Sequence, residues 1–252
     1  MRIIRLQDRI QVSLLVASFL LIGCAGPGGA LRSTTIHTGY AYAFLSFKAD
    51  RIKNEDLNRA RELYAQALTH YTRAWQDGMA ELEKRYPGFT VTLAQNPGEA
   101  VKMTDKRDVS LLYWTAAALG SAIGLSKDRP DMLIRLPQVG SLAFRVTELD
   151  PGFQDGAVYQ LLMIYEAARL GMMGGSIALA KHYFQLALTY SQGRSASPYV
   201  SYGEYICVQE QDRETFVAMM NRAIAAPGGG MTNRLAKQRA QWLLTQMDTL
   251  FI

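Results

Sequence analysis

The segment AKHYFQLAL, residues 180–188, sets Ala180, Phe184 and Ala187 at spacings of four and three. On a helix these positions share one stripe, small at both ends and aromatic in the middle. Such a stripe lets one helix nest closely against its neighbours. The segment ARELYAQAL, residues 60–68, repeats it with Ala60, Tyr64 and Ala67. Looser versions occur at Val139, Ala143 and Val146, followed by Pro151, and at Phe216, Met220 and Ala223, followed by Pro227. Over the later part of the chain the registers recur about every 36 to 41 residues.

That period is close to the roughly 34-residue unit of tetratricopeptide repeats, in which the second helix of each hairpin carries this pattern. Punctuation agrees: RYPGF at 85–89, QNPGE at 95–99, KDRPD at 127–131, LDPGF at 149–153, MMGGS at 172–176, ASPYV at 196–200 and APGGG at 226–230 divide the sequence into helix-sized pieces. Alternation of β-branched residues is nearly absent, and FTVTLA at 89–94 reads as loop or a short extended piece. The expected fold is all-α, with tetratricopeptide-like helical hairpins forming a compact α-solenoid or superhelical bundle. Residues 40–252 are read as its single domain.

The N-terminus follows other rules. Arg2, Arg5 and Arg9 surround and precede the apolar run VSLLVASFLLIG, which ends at Cys24. This is the pattern of an export signal over residues 1–23. LIGC at 21–24 resembles a bacterial lipobox, which makes Cys24 the expected site of lipidation and the first mature residue. Residues 24–39, beginning with the small-residue spacer AGPGGA after the cysteine, are read as a lipidated flexible tether. The one other cysteine, Cys207, would have no disulfide partner once Cys24 is acylated, and is expected to pack as a small hydrophobe. The formal charge of +5 falls to +3 without the first 23 residues, and the charges are scattered. That balance argues against a nucleic-acid partner.

The stretch DVSLLYWTAAALGSAIGLSK, residues 108–127, is uncharged between its ends. Its serines, threonine, alanines and glycines make it only weakly hydrophobic, and it sits between charged hairpins, so a buried helix is expected rather than a bilayer span. Small residues beside Tyr113 and Trp114 leave two readings open, a packed core or the wall of a cavity.

Catalytic patterns are missing. His37, His70 and His182 are far apart in sequence and form no zinc-ligand spacing, and there is no nucleophile elbow or phosphate-binding loop. No enzyme, metal site or cofactor is expected. Ser176 after Gly174 and Gly175, and Ser197 before Pro198, read as helix starts. Glu166 reads as a helix-surface carboxylate. Arg234, Lys237 and Arg239 are placed opposite Trp242 and Leu243 on an amphipathic C-terminal helix.

In order, YAYAF at 40–44, YPGF at 86–89, DVSLLYW at 108–114, LSKDRPD at 125–131, LDPGFQDGAVYQLL at 149–162, SASPYVSYGE at 195–204 and LAKQRAQWLL at 235–244 resemble the T component of TRAP (tripartite ATP-independent periplasmic) transporters. The resemblance runs from about residue 40 to the C-terminus. It implies a periplasmic lipoprotein, assembled as a homotrimer with a hydrophobic pore in each subunit. It also implies a partnership with the P component, the solute-binding protein, and an apolar or lipid-like small-molecule ligand. Tyr42, Tyr113, Trp114, Tyr159 and Tyr199 are the candidate ligand-contacting residues. Ala25 after the cysteine favours the outer membrane over the inner. The family has a further helical segment after the acylated cysteine, where this chain has only residues 25–39 before Tyr40. The competing reading is a periplasmic scaffold lipoprotein that binds proteins or peptides and has no small-molecule cavity.

Overall fold

A computed structural model describes residues 29–169 and 174–251. Cys24 and the expected signal lie outside the described residues. Among these, every regular element is helical. They cluster into two compact units, one of residues up to Val91 with Trp114–Leu133, the other of Thr92–Tyr113 with Ile134 onward.

In the first unit the chain enters as α1 (Gly29–Tyr40), widens into a π-helical turn over Ala41–Ser46, and continues as α2 (Phe47–Ile52). The helical start at Gly29 corrects the expected tether over 24–39. Alanine, threonine and glycine give α1 little apolar periodicity to read, and its helix is held by packing. Thr34 and Thr38 turn their hydroxyls back onto the carbonyls of Ala30 and Thr34, while Thr34 also reaches the Ala74 carbonyl at 3.2 Å.

The surface receiving α1 is α3 (Leu57–Arg85), capped by the Asp56 carboxylate on the Arg59 amide. Ala60, Leu63, Ala67, Tyr71, Ala74, Gly78 and Leu82 form its buried stripe. Their spacings of three and four are those of one helix face. At Gly78 a Cβ would run into the Thr115 side chain of α6 (Val109–Gly124), so glycine permits the close crossing. FTVTLA is also helical, as α4 (Phe89–Gln95), not the loop or short extended piece its sequence suggested. The Glu83 carboxylate accepts from the Gly88 and Thr90 amides at 2.7 and 2.8 Å, while Phe89 and Leu93 are fully buried one turn apart. These tertiary contacts override propensity. No helix among the described residues is long and apolar enough to cross a membrane.

The second unit contains α5 (Pro97–Lys102), the first residues of α6, and, beyond α7 (Pro130–Leu133) of the first unit, α8 (Leu136–Leu149), α9 (Phe153–Ala168) and α10 (Ile177–Ser191). Then come α11 (Ser197–Tyr202), a π-helical turn over Gly203–Cys207, α12 (Val208–Glu210), α13 (Arg213–Ala225), α14 (Gly230–Leu244) and α15 (Met247–Leu250). The repeat register is buried as the sequence implied: Val139, Ala143 and Val146, then Ala180, Phe184 and Ala187, then Phe216, Met220 and Ala223. Phe216 and Met220 share a core with Met163, Phe184, Val200, Ile206, Leu243 and Phe251. Each large side chain so buried contributes about 1.5–3 kcal/mol before entropy is counted. Cys207 belongs to this core, and burial first, with the nearby Asp212 and Glu210 charges, pushes its thiol up to about 12.

Polar anchors set the corners. Asn233 is buried and holds residues 194–196, accepting from the Ala196 amide at 2.7 Å and donating to the Arg194 carbonyl at 3.0 Å. Arg239 pairs with Glu204 and lies 5.7 Å from the Trp242 ring centre, so it sits beside Trp242 rather than opposite it.

Candidate functional site

Within the second unit, the turn just inside the N-terminal end of α9 is the most unusual piece of backbone. Gln154, Asp155 and Gly156 all have positive φ, of 47°, 57° and 77°. Three consecutive left-handed residues make a single reversed turn, and a non-glycine residue held there costs about 1–2 kcal/mol. Such strain persists only where surrounding contacts impose it, and it concentrates at functional sites.

What surrounds the turn is aromatic. Before it, Phe153 lies against Tyr113 with ring centres 5.4 Å apart. After it, a Cβ on Gly156 would collide with the Tyr190 side chain of α10, so the glycine serves both the φ and the approach. Tyr190 stacks on Tyr159 at 5.0 Å, Tyr159 on Tyr183 at 6.4 Å, and Tyr183 meets the edge of Phe144 at 6.3 Å. Elements α6, α8, α9 and α10 thus supply a row of rings on both sides of the strained turn.

Accessibility along this row is graded. Tyr159 is buried, Tyr113, Phe153 and Tyr183 are partly accessible, and Tyr190 and Phe144 are exposed at 36% and 38%. Burial pushes the Tyr113 phenol up to about 12. Burial, the hydrogen bond with Tyr190 and the neighbouring phenols do the same for Tyr159. Tyr183 is raised by burial and by Glu166. The hydroxyls therefore stay protonated at neutral pH and can donate or accept hydrogen bonds without adding charge. Flat apolar faces with neutral polar tips suit an apolar molecule bearing a polar end.

Of the candidates named from sequence, the structure brings Tyr113 and Tyr159 to the two sides of this turn. Tyr199 sits elsewhere, on α11, edge-on to Phe184 of α10 at 5.8 Å. Tyr42 and Trp114 belong to the first unit, the former 44% exposed in the π-helical turn and the latter partly buried. Sequence reasoning missed Phe153, Tyr183 and Tyr190. Leu179, Tyr183 and Tyr190 lie four and seven residues apart on one stripe of α10, the signal that could have found them.

Glu166 corrects a further expectation. It is buried, not on the surface, because it closes the C-terminal end of α9. It pairs with Arg169 at 2.7 Å and accepts from the Ser176 amide at 3.2 Å. The Ser176 hydroxyl in turn accepts from the Leu179 amide and caps α10, as the sequence implied for Ser176. Arg169 lies 3.9 Å above the Tyr165 ring, and Tyr165 occupies the space that a Cβ at Gly140 would fill. This set fixes the position of α10 and of the tyrosines it carries. No group of three or more metal-ligating side chains converges among the described residues.

Among the described residues the chain is all-helical, with a row of aromatic rings along α8, α9 and α10. The chain belongs to the TRAP transporter T-component family, whose model matches residues 15–251. It is also similar to an uncharacterized protein of Treponema pallidum (strain Nichols), 24% identical, over 89% of this chain and 72% of that one. The family places the chain among transporter accessory components.

Proposed function

We propose that this protein is a lipid-anchored accessory subunit of a TRAP transporter, held on the periplasmic face of a membrane through Cys24. In this reading it binds an apolar small molecule with a polar end, docks the solute-binding P component, and works as a homotrimer without catalysing a reaction. The outer membrane is the favoured location, on the strength of Ala25. The helices from Gly29 onward carry the binding function.

The observation that supports ligand binding best is the row of rings about the strained 154–156 turn. Tyr113 and Phe153 lie on one side, Tyr159, Tyr190 and Tyr183 on the other, and the tyrosines with raised phenols remain uncharged. A fluorescent long-chain fatty acid is a suitable probe. The full chain should bind it, and Tyr113→Ala and Tyr159→Ala should each weaken binding roughly tenfold, the worth of about 1.4 kcal/mol of lost ring contact. Circular dichroism should show both variants folded. Absence of probe binding, with extended peptides bound instead, would favour the scaffold reading.

A further inference from the structure

We infer that His37 and His70 form a proton-operated latch between α1 and α3. Thirty-three residues apart in the chain, they meet with their Nδ1 atoms 2.7 Å apart and their ring centres 4.9 Å apart. Two Nδ1 atoms at that distance share one proton, since one must donate and the other accept.

The surroundings decide which ring stays neutral. His70 is held below its ordinary value, first by burial and then by the neighbouring His37. Either ring can donate, and in both arrangements the bond needs one unprotonated Nδ1. Tyr40 lays its ring 5.0 Å from His70. On the α3 side, Asp77 and Arg73 lie toward the other end of α1. Burial alone would raise the Asp77 carboxyl, but the Ser33 hydroxyl, Arg73 and His37 outweigh it and the net shift is down. Asp77 therefore remains an anion.

The shared proton gives the latch its logic: once both Nδ1 atoms carry a proton, N–H is set against N–H at 2.7 Å and the bond is lost. Because the folded-state value of His70 is depressed, the stabilisation is complete above its ordinary value of 6.5 and is lost as pH falls below it. Besides the imidazole pair, α1 is tied by the Ser33 hydroxyl to Asp77 at 2.6 Å, by Thr34 to the Ala74 carbonyl at 3.2 Å, and by the packing of Thr34, Thr38 and Gly39. Acid should therefore free α1 before the rest of its unit. If the anchor reading holds, release of these 12 residues would add up to about 40 Å of reach between membrane and protein.

Amide hydrogen exchange of α1 in the full chain, corrected for the pH dependence of the intrinsic rate, tests the latch whether or not Cys24 is acylated. Protection over residues 30–40 should drop several-fold between pH 7.5 and pH 5, while the buried stripe of α3 keeps its protection. In His70→Gln, whose amide cannot titrate, the drop should vanish, and the unchanged α3 stripe shows that the variant is folded. Equal α1 protection at both pH values, or the same drop in His70→Gln, would overturn the proposal.

Discussion

Glu166→Ala should lower the stability of the second unit by about 3 kcal/mol, the low end for removing one partner of a buried ion pair. The low end applies because Arg169 keeps 17% side-chain exposure and can regain some hydration, whereas Glu166 has only 4%. For a chain of this size the loss corresponds to roughly 6–12 °C in Tm. Glu166→Gln should cost less, since an amide oxygen can still accept from Ser176 N–H while the ion pair is lost. The alanine variant also removes the group that fixes the start of α10, so the Tyr159–Tyr190 stack should loosen and near-ultraviolet dichroism should fall with stability. Equal Tm values for wild type and Glu166→Ala would contradict the clamp.

Substitutions in the reversed turn should act in opposite directions at adjacent positions. Gly156→Val places a β-branched residue at a φ of 77° and drives its side chain into Tyr190. The strain and the overpacking together should cost about 2–5 kcal/mol. Asp155→Gly keeps the turn and removes the strain of a side chain at a φ of 57°, so it should stabilise by up to about 1 kcal/mol. Chemical denaturation of both variants measures the pair of effects. A destabilised Asp155→Gly would mean that the turn is not left-handed in the folded protein.

These features mark the limit of what the sequence discloses. The helix-nesting stripe was legible because burial follows it residue by residue: Ala180, Phe184 and Ala187 are all buried, as are their counterparts in α8 and α13. Tyr64, partly exposed, is the one register position that hydrogen-bonds outward, donating to Asp50 at 2.5 Å. The cap at Ser176 was legible for the same reason, since it depends on neighbours in the chain. What escaped depends on distant partners. Helix α1 reads as tether until Thr34 finds Ala74, and FTVTLA reads as loop or a short extended piece until Glu83 ties down its first turn. Glu166 looks like a surface residue because its i+3 neighbour Arg169 suggests an ordinary helix pair. Only the return of the chain at Ser176 buries it. Tyr113 and Tyr159 stood out by residue type, but the row they border depends on a backbone reversal that no periodicity announces.

Native mass spectrometry of the full chain tests the account most directly, run gently and then with activation, alone and with the P component of its transporter. The account predicts a trimer that sheds an apolar small molecule on activation and gains mass when the P component is added. A bare monomer that releases nothing and ignores the P component would contradict it.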